Sequence, residues 1–529
     1  MTAPSKPARS KPIRGAVAAG HPETARAAMI MLEEGGNAFD AVMAAMTAAC
    51  VTEPVLCSMG GGGFLLAQAA GKPPRLLDFF VQTPGRRADP ENADFQPILC
   101  DFGTVQQEFH VGRASSATPG CVKGLFEVAE HLGRMPVKRV VEPALQLARE
   151  GVRLNRLQAY IFDVVGPIYM ITEPSRRIFE SKQRPGELVG EGESVANPDF
   201  ADFLESLAIE GEDLFYRGEV SAVIDAESRA GGGALRRADL ESYELALRDP
   251  LEIAYGGARL YTNPPPSTGG ILIAFALKLY EQLRQREWSF GDAERLDRMI
   301  QVMAATNEAR MESGLHELTE DEAAVALLGG DLLQRYGEEI LGRPKAYRGT
   351  THISVIDGQG NAAALTLSNG EGSGHIVPGT GVMLNNMLGE EDLNPGGFHA
   401  WRPGTRMCSM MAPTLVREAD GRLTALGSGG SNRIRTAILQ VLMNLLDFSM
   451  PLADAIEAPR CHFEQGLLNI EAGYSEAAVQ RLFGAWPEVK AWDERNLFFG
   501  GVHAVRADPA RGELAGAGDP RRGGAALSR

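Results

Sequence analysis

The chain has 529 residues, 44% of them hydrophobic and 23% charged, a make-up that supports large buried cores. Its formal net charge of −16 repels a phosphate backbone, which sets nucleic acid aside as a partner. No apolar run approaches the ~18–20 residues that cross a bilayer, so a membrane is set aside as well.

Typical domain sizes lead us to expect two to four domains. Residues 1–15 are basic and Pro-rich, and we read them as a disordered arm. This stretch lacks the apolar h-region of a secretory signal, so a cytoplasmic location is expected, with the periplasm left open. The six cysteines are scattered without a CxxC pair and read as reduced thiols.

In chain order, His21 to Gly36 predicts a helix: ETARAAMIMLEE has helical apolar spacing and stops at Gly35-Gly36. Asn37 is placed to cap a second helix, NAFDAVMAAMTAAC, apolar on most faces and therefore buried. SMGGGGFLLAQ follows, a glycine run entering an apolar strand. Neither Lys-Ser/Thr nor a helix comes next, so a nucleotide-binding loop is disfavoured. Pro119 to Leu154 reads as amphipathic helix, and residues 190–330 read as largely helical. YTNPPPSTGG at 261–270 breaks that helical stretch, because three prolines cannot continue a helix. A helix is expected from Ile271.

The texture changes at Gly349. Residues 351–356 suit a strand, Asp357-Gly358-Gln359-Gly360 signals a turn, and NAAALTLS suits a second strand, making a hairpin. Residues 433–448 again have helical spacing. Helix-rich before Gly349 and strand-led after it predicts a layered α/β protein with helices outside sheets.

The chemistry is concentrated in YRGTTHISVIDGQGN. A hydroxyl nucleophile is weak without an adjacent base. A threonine at the start of a chain carries one, its free α-amine, with a pKa of about 7.7–8.0 in model peptides. Thr350 would acquire that amine only if the bond from Gly349 were broken. Gly349 suits such a break, since glycine tolerates strained geometry and leaves its carbonyl open. Gly-Thr-Thr is also a common way to enter a strand, and by itself the tripeptide favours that reading.

The wider pattern changes the balance. TTHISVIDGQGNAAALT, GTGVMLNNMLGEEDLNPGG and SMMAPTLV resemble the start of the small subunit of γ-glutamyltranspeptidases. GGNAFDAVMAA, GGGGFLL, VEPALQLAREGVRLN, YTNPPPSTGG, LGSGGSNRI and GAGDP fall in the family's order along most of the chain. The resemblance implies an N-terminal nucleophile hydrolase with a four-layer αββα sandwich. It also implies self-cleavage before Thr350 into a helix-rich large fragment, 16–349, and a small fragment, 350–529, which stay together as a heterodimer. No cofactor or metal is implied, and the residues agree: there is no HExxH and no tight His/Asp cluster.

By the same resemblance Thr350 is the nucleophile, and His352 is a structural strand residue. A hydroxyl on the paired strand assists the nucleophile, which points to Thr366 and Ser368, and Asn369 contacts the substrate amino group. Glu390 falls where the family holds the substrate α-ammonium; with Glu391 and Asp392 beside it, a solvated acidic loop is the competing reading. Ser409 matches the first of two paired serines that bind the α-carboxylate, but Met410 stands in place of the second. Gly430, with Ser431 or Gly429, matches the pair whose backbone N–H groups form an oxyanion hole.

Three departures bear on substrate. Phe80 stands where members acting on glutathione carry an arginine; Arg86, Arg87 and Arg113 are the alternatives nearby in sequence. Met410 removes a hydroxyl. The stretch between NPGG and SMMAP is only FHAWRPGTRMC, so an open cleft is expected, with Trp401 at its mouth. The expected activity is hydrolysis or transfer of γ-glutamyl amides through a threonyl ester. The alternatives are an acylase of the same fold, taking a glutaryl-type group, and a binding protein derived from the enzyme.

Overall fold

The computed structural model describes residues 14–101, 106–283, 288–313, 327–328, 349–394 and 396–529. Most of the expected N-terminal arm lies outside the described residues. Its last residue, Gly15, already belongs to a strand and pairs with Asp357.

Thirteen strands build the two main sheets: β1 (Gly15–Ala19), β2 (Gly62–Gln68), β3 (Arg75–Phe79), β4 (Ala246–Arg248), β5 (Leu251–Tyr255), β6 (Ala258–Thr262), β7 (Thr351–Asp357), β8 (Ala362–Ser368), β9 (Thr414–Arg417), β10 (Leu423–Gly429), β11 (Gly501–Asp508), β12 (Glu513–Ala517) and β13 (Ala525–Ser528). The first sheet runs β13–β1–β7–β8–β2–β3–β4, and the second runs β12–β11–β10–β9–β6–β5. Neighbouring strands are antiparallel throughout, as in β7 with β8, where Thr351 faces Leu367 and His352 faces Thr366.

The layering follows from period-two alternation. Val17, Ala19, Leu65 and Ala67 join an apolar cluster with helices α1 (Pro22–Glu33), α2 (Ala38–Thr52), α3 (Val137–Glu150) and α4 (Pro198–Glu210). Ala16, Ala18, Phe64 and Leu66, on the other face, join a cluster that runs through the second sheet. It continues to helices α5 (Gly269–Leu283), α6 (Ala293–Glu312) and α7 (Arg433–Leu446). The order is helices, sheet, sheet, helices: the αββα sandwich. Each leucine or isoleucine buried in these clusters stabilises by about 1.5–3 kcal/mol. No helix among the described residues is long and apolar enough to cross a membrane.

Local chemistry sets several boundaries as the spacing predicts. Asn37 accepts the N–H groups of Phe39 and Asp40, and the Asp40 carboxylate returns a bond to the Asn37 N–H, a capping box for α2. The hairpin β7–β8 turns at Asp357, whose carboxylate receives the N–H groups of Gln359 and Asn361. Residues 190–330 depart from the helical expectation. LEIAYGGARLYT forms the hairpin β5–β6, because Gly256 and Gly257 both take positive φ, 57° and 82°, and turn the chain. The α5 helix begins at Gly269, two residues earlier than expected.

Candidate active site

The β7–β8 pairing puts Thr350, one residue before β7, level with the end of β8. There the Gly349 carbonyl accepts two hydroxyls, Thr350 Oγ1 at 2.8 Å and Ser368 Oγ at 2.7 Å. The Gly349 N–H donates to Glu371 Oε1 at 2.8 Å. A side chain at 349 has no room: its Cβ would lie 2.7 Å from the Gly370 carbonyl oxygen. The peptide bond before Thr350 is thus held on both sides, with the Thr350 hydroxyl against the carbonyl that precedes it.

The second sheet closes in from behind. At Gly429, the last residue of β10, a Cβ would lie 2.0 Å from the Thr350 carbonyl oxygen, so only glycine allows this approach. Gly430 and Ser431 then turn the chain into α7 with φ of 121° and 55°. For Ser431 this left-handed conformation costs about 1 kcal/mol. Arg522 lies under the same loop, its Nη2 3.1 Å from where a Gly430 Cβ would be, and burial pulls its pKa down to about 10.

A cavity with about 450 Å³ of empty space opens in front of Thr350. Its wall includes Gly349, Thr350, Ser368, Phe80, Glu390, Ser409, Met410 and Ser431, bringing together eight of the positions singled out in sequence. Glu390 is 2% exposed, which removes the solvated-loop reading. Ser409 is pinned by the YTNPPPSTGG loop: its carbonyl accepts the Thr268 N–H and the Ser267 hydroxyl, both at 2.8 Å. Ser409 Oγ meanwhile accepts the Met411 N–H at 3.1 Å. Met410 lies beside Thr268, whose hydroxyl is 3.4 Å from the thioether sulfur.

Besides Gly430, in the loop just described, two predicted residues stand back from this wall. Thr366 lies deeper between the sheets, where its hydroxyl meets His352 Nδ1 at 2.8 Å. Burial pushes the His352 imidazole well below its usual pKa, so it is neutral, and Ser354 occupies its other nitrogen at 2.9 Å. Of the two β8 hydroxyls, Ser368 therefore faces the reacting peptide, while Thr366 fixes a structural histidine. Asn369 is wholly buried beneath the cavity, where its carbonyl accepts the N–H groups of Gly372 and Asn386.

Two of the alternative arginines, Arg87 and Arg113, are used elsewhere. Arg87 donates to the carbonyls of Ala400 and Trp401, and Trp401, expected at the mouth, does not line the cavity. Arg113 pairs with Asp94 and Glu227. Arg406 packs against the back of Phe80, donating to its carbonyl and to the Tyr243 hydroxyl, and faces Asp78 at 3.5 Å. Phe80 itself stacks on Phe64 at 5.3 Å, and Met387, Leu393, Met411 and Ile434 complete an apolar wall.

Sequence reasoning missed Glu371, Asp392 and Arg522. Glu371 follows the β8 motif by three residues, and its charge beside Asn369-Gly370 was the available signal. Arg522 lies 172 residues beyond Thr350 in sequence, so only the sheet packing brings it near.

The family model for gamma-glutamyltranspeptidase matches residues 24–528. A glutathione hydrolase proenzyme from Escherichia coli (strain K12) is 30% identical over 97% of this chain and 91% of its own length. The acylase ACY 1 proenzyme of Pseudomonas sp. (strain SE83) is 29% identical over 98% of this chain and 93% of its own. The cephalosporin acylase crystal structure from Bacillus halodurans superposes with a TM-score of 0.80 at 25% identity, covering 100% of this chain and 98% of that one. With the threonine, the paired hydroxyl and the sandwich all in place, the chain belongs to the γ-glutamyltranspeptidase family.

Proposed function

We propose that the chain cuts itself between Gly349 and Thr350, and that the freed Thr350 is the nucleophile of a γ-glutamyl amidohydrolase and acyltransferase. The observation that carries this reading is the double hydroxyl contact on the Gly349 carbonyl. The Thr350 oxygen attacks the Gly349 carbonyl carbon, and its proton passes to the departing Thr350 nitrogen. Ser368 donates to the oxygen as it gains charge, the kind of bond that strengthens only in the transition state. The product is an ester between Gly349 and the Thr350 side chain, which water hydrolyses to a Gly349 carboxylate. Thr350 then has a free amine beside its own hydroxyl, and that amine is its base.

The two fragments, 16–349 and 350–529, stay associated as a heterodimer in this reading. Strands β7 and β8 lie between β1 and β2, so separating the fragments would tear the first sheet. In turnover, Thr350 attacks the substrate amide, the Gly430–Ser431 loop faces the tetrahedral oxygen, and Glu390 holds the substrate ammonium. The acyl group leaves to water or to an acceptor amine.

A second reading, the acylase, is favoured by one observation. The wall at Phe80, Met387, Met410 and Ile434 is apolar, where a free α-carboxylate needs a cation. Turnover of γ-glutamyl-p-nitroanilide against glutaryl-p-nitroanilide decides between them. Purified wild type should yield a new terminus beginning Thr-Thr-His, and Thr350→Ala should remain one inactive chain. An active wild type that stays uncut would remove the mechanism.

A further inference from the structure

On the far side of Thr350 from the cavity, a carboxylate is buried where its charge is least welcome. Glu53 caps the C-terminal end of α2, the negative end of the helix dipole, and is only 5% exposed. Burial pushes its pKa up to about 7, despite bonds from Thr351 and Thr24 and the charge of Arg522. A side chain with only a packing role would gain by being neutral here. What the carboxylate obtains is a pair of hydrogen bonds: Thr351 Oγ1 donates to Oε2 at 2.8 Å, and Thr24 Oγ1 donates to Oε1 at 3.2 Å.

The backbone makes room for this contact. At Gly20, in the turn between β1 and α1, a Cβ would lie 2.3 Å from Glu53 Oε2 and 2.9 Å from Thr351 Oγ1. A second cavity, of about 350 Å³ of empty space, lies behind Glu53 and Arg522 and shares no lining residue with the first. Val55 and Leu56 form the partition. A Cβ at Gly349 would sit 3.1 Å from the Val55 carbonyl oxygen and 3.5 Å from a Leu56 methyl. Glu53 therefore reaches the reacting residue through its neighbour Thr351.

We propose that Glu53 is a positioning residue, acting through the Thr351 hydroxyl to hold Thr350 at the height and rotation its reaction needs. The inference rests on the proposed function. In the uncut chain Thr350 is tethered on both sides, and the Gly349 N–H is further anchored to Glu371. Scission removes one tether. The Thr351–Glu53 bond then becomes the nearest side-chain constraint on the free terminus, whose amine and hydroxyl must face each other and the substrate. Glu53 accordingly matters more to turnover than to substrate binding.

The test uses the full chain and whichever of the two anilides wild type turns over. Thr351→Val, which leaves the carboxylate in place, should lower kcat about ten- to a hundredfold, the scale of an ångström of misplacement, with KM within about threefold. Glu53→Ala should do the same, and the double variant should be no worse than either. Thr351→Ser and Glu53→Gln keep a donor and an acceptor and should stay within about threefold of wild type. If Glu53→Ala does not fold, the Thr351→Val and Thr351→Ser pair decides. The inference is overturned if Thr351→Val keeps kcat within about twofold, or if the single losses multiply in the double variant. Wild type that cleaves normally while Thr351→Val turns over like it sinks this inference alone; wild type that never cleaves sinks the proposed function beneath it.

Discussion

The two sides of Thr350 are built from different materials. In front, the apolar part of the cavity wall is Phe80, Met387, Leu393, Met410, Met411 and Ile434, side chains held chiefly by packing. Behind and around the nucleophile lies a framework of buried polar groups. Ser368 and Glu371 hold Gly349, Glu53 holds Thr351, and His352 pairs with Thr366 and Ser354. Under the α7 end of the site, Arg435 and His462 converge on Glu464, and Asp519 bridges Arg460 and Arg521. Apolar contacts can be exchanged at a cost of about a kilocalorie when volume is kept. A buried polar group that loses its partner costs more, and cannot repack around the loss. The framework is thus where the reaction is defined, and the front wall is where one acyl group is chosen over another.

That contrast can be broken at its strongest point first. Ser368→Ala removes the second hydroxyl on the Gly349 carbonyl. Self-cleavage should slow by about 10²–10³, the usual effect of deleting one donor to a developing oxyanion, as timed by the appearance of the two fragments on a gel. Cleavage at the wild-type rate would mean that the framework does not direct the reaction.

The framework also has a pH signature. Burial opposes the charge on Glu464, but the His462 hydrogen bond and the Arg435 guanidinium hold its pKa down to about 2, against 4.5 ordinarily. A carboxyl with a lowered folded-state pKa stabilises above about pH 4.5 and loses that contribution as pH falls towards 2. At about 1.4 kcal/mol per pH unit, the loss is about 3 kcal/mol. Thermal melts between pH 4.5 and 2 should fall more steeply for wild type than for Glu464→Gln, and parallel curves would contradict the assignment.

The smallest effect belongs to the front wall. Met410→Ser restores a hydroxyl beside Ser409, and one added hydrogen bond is worth about 0.5–1.5 kcal/mol. KM for γ-glutamyl-p-nitroanilide should drop about two- to tenfold, with the cleavage rate unchanged. A variant that altered cleavage as strongly as Ser368→Ala would erase the distinction between the two sides.

Much of the site was legible because its signals are local. Gly349-Thr350 offers a breakable bond beside a hydroxyl, which the resemblance to the γ-glutamyltranspeptidases turns from a strand entry into a cleavage site, and the alternating residues after it announce the strand that carries the nucleophile. The resemblance picked out Ser368, and the hairpin explains its place, since a four-residue turn fixes which residues of β8 come level with the start of β7. The resemblance offers Thr366 with Ser368, and the two sit on the same face of β8, two residues apart. Depth along the strand, which one sequence cannot show, gives one to the scissile peptide and the other to His352. The β5–β6 hairpin was hidden by its setting: strands of five residues between long helices carry too few positions to outvote the helical pattern around them.

By itself, the sequence determined the nucleophile, the hairpin that presents it, the capped helices and the layered class. The hairpin, the helices and the class rest on periodicity and on chemistry between near neighbours, and the nucleophile rests on the resemblance to the γ-glutamyltranspeptidases. Only the tertiary structure decided that Glu53, Glu371 and Arg522 gather around one threonine, that Phe80 and Met410 share a wall with Glu390, and that Arg87 and Arg113 are used elsewhere. The reason is that burial and long-range pairing depend on which faces of two sheets meet, and that is decided by packing of the whole core.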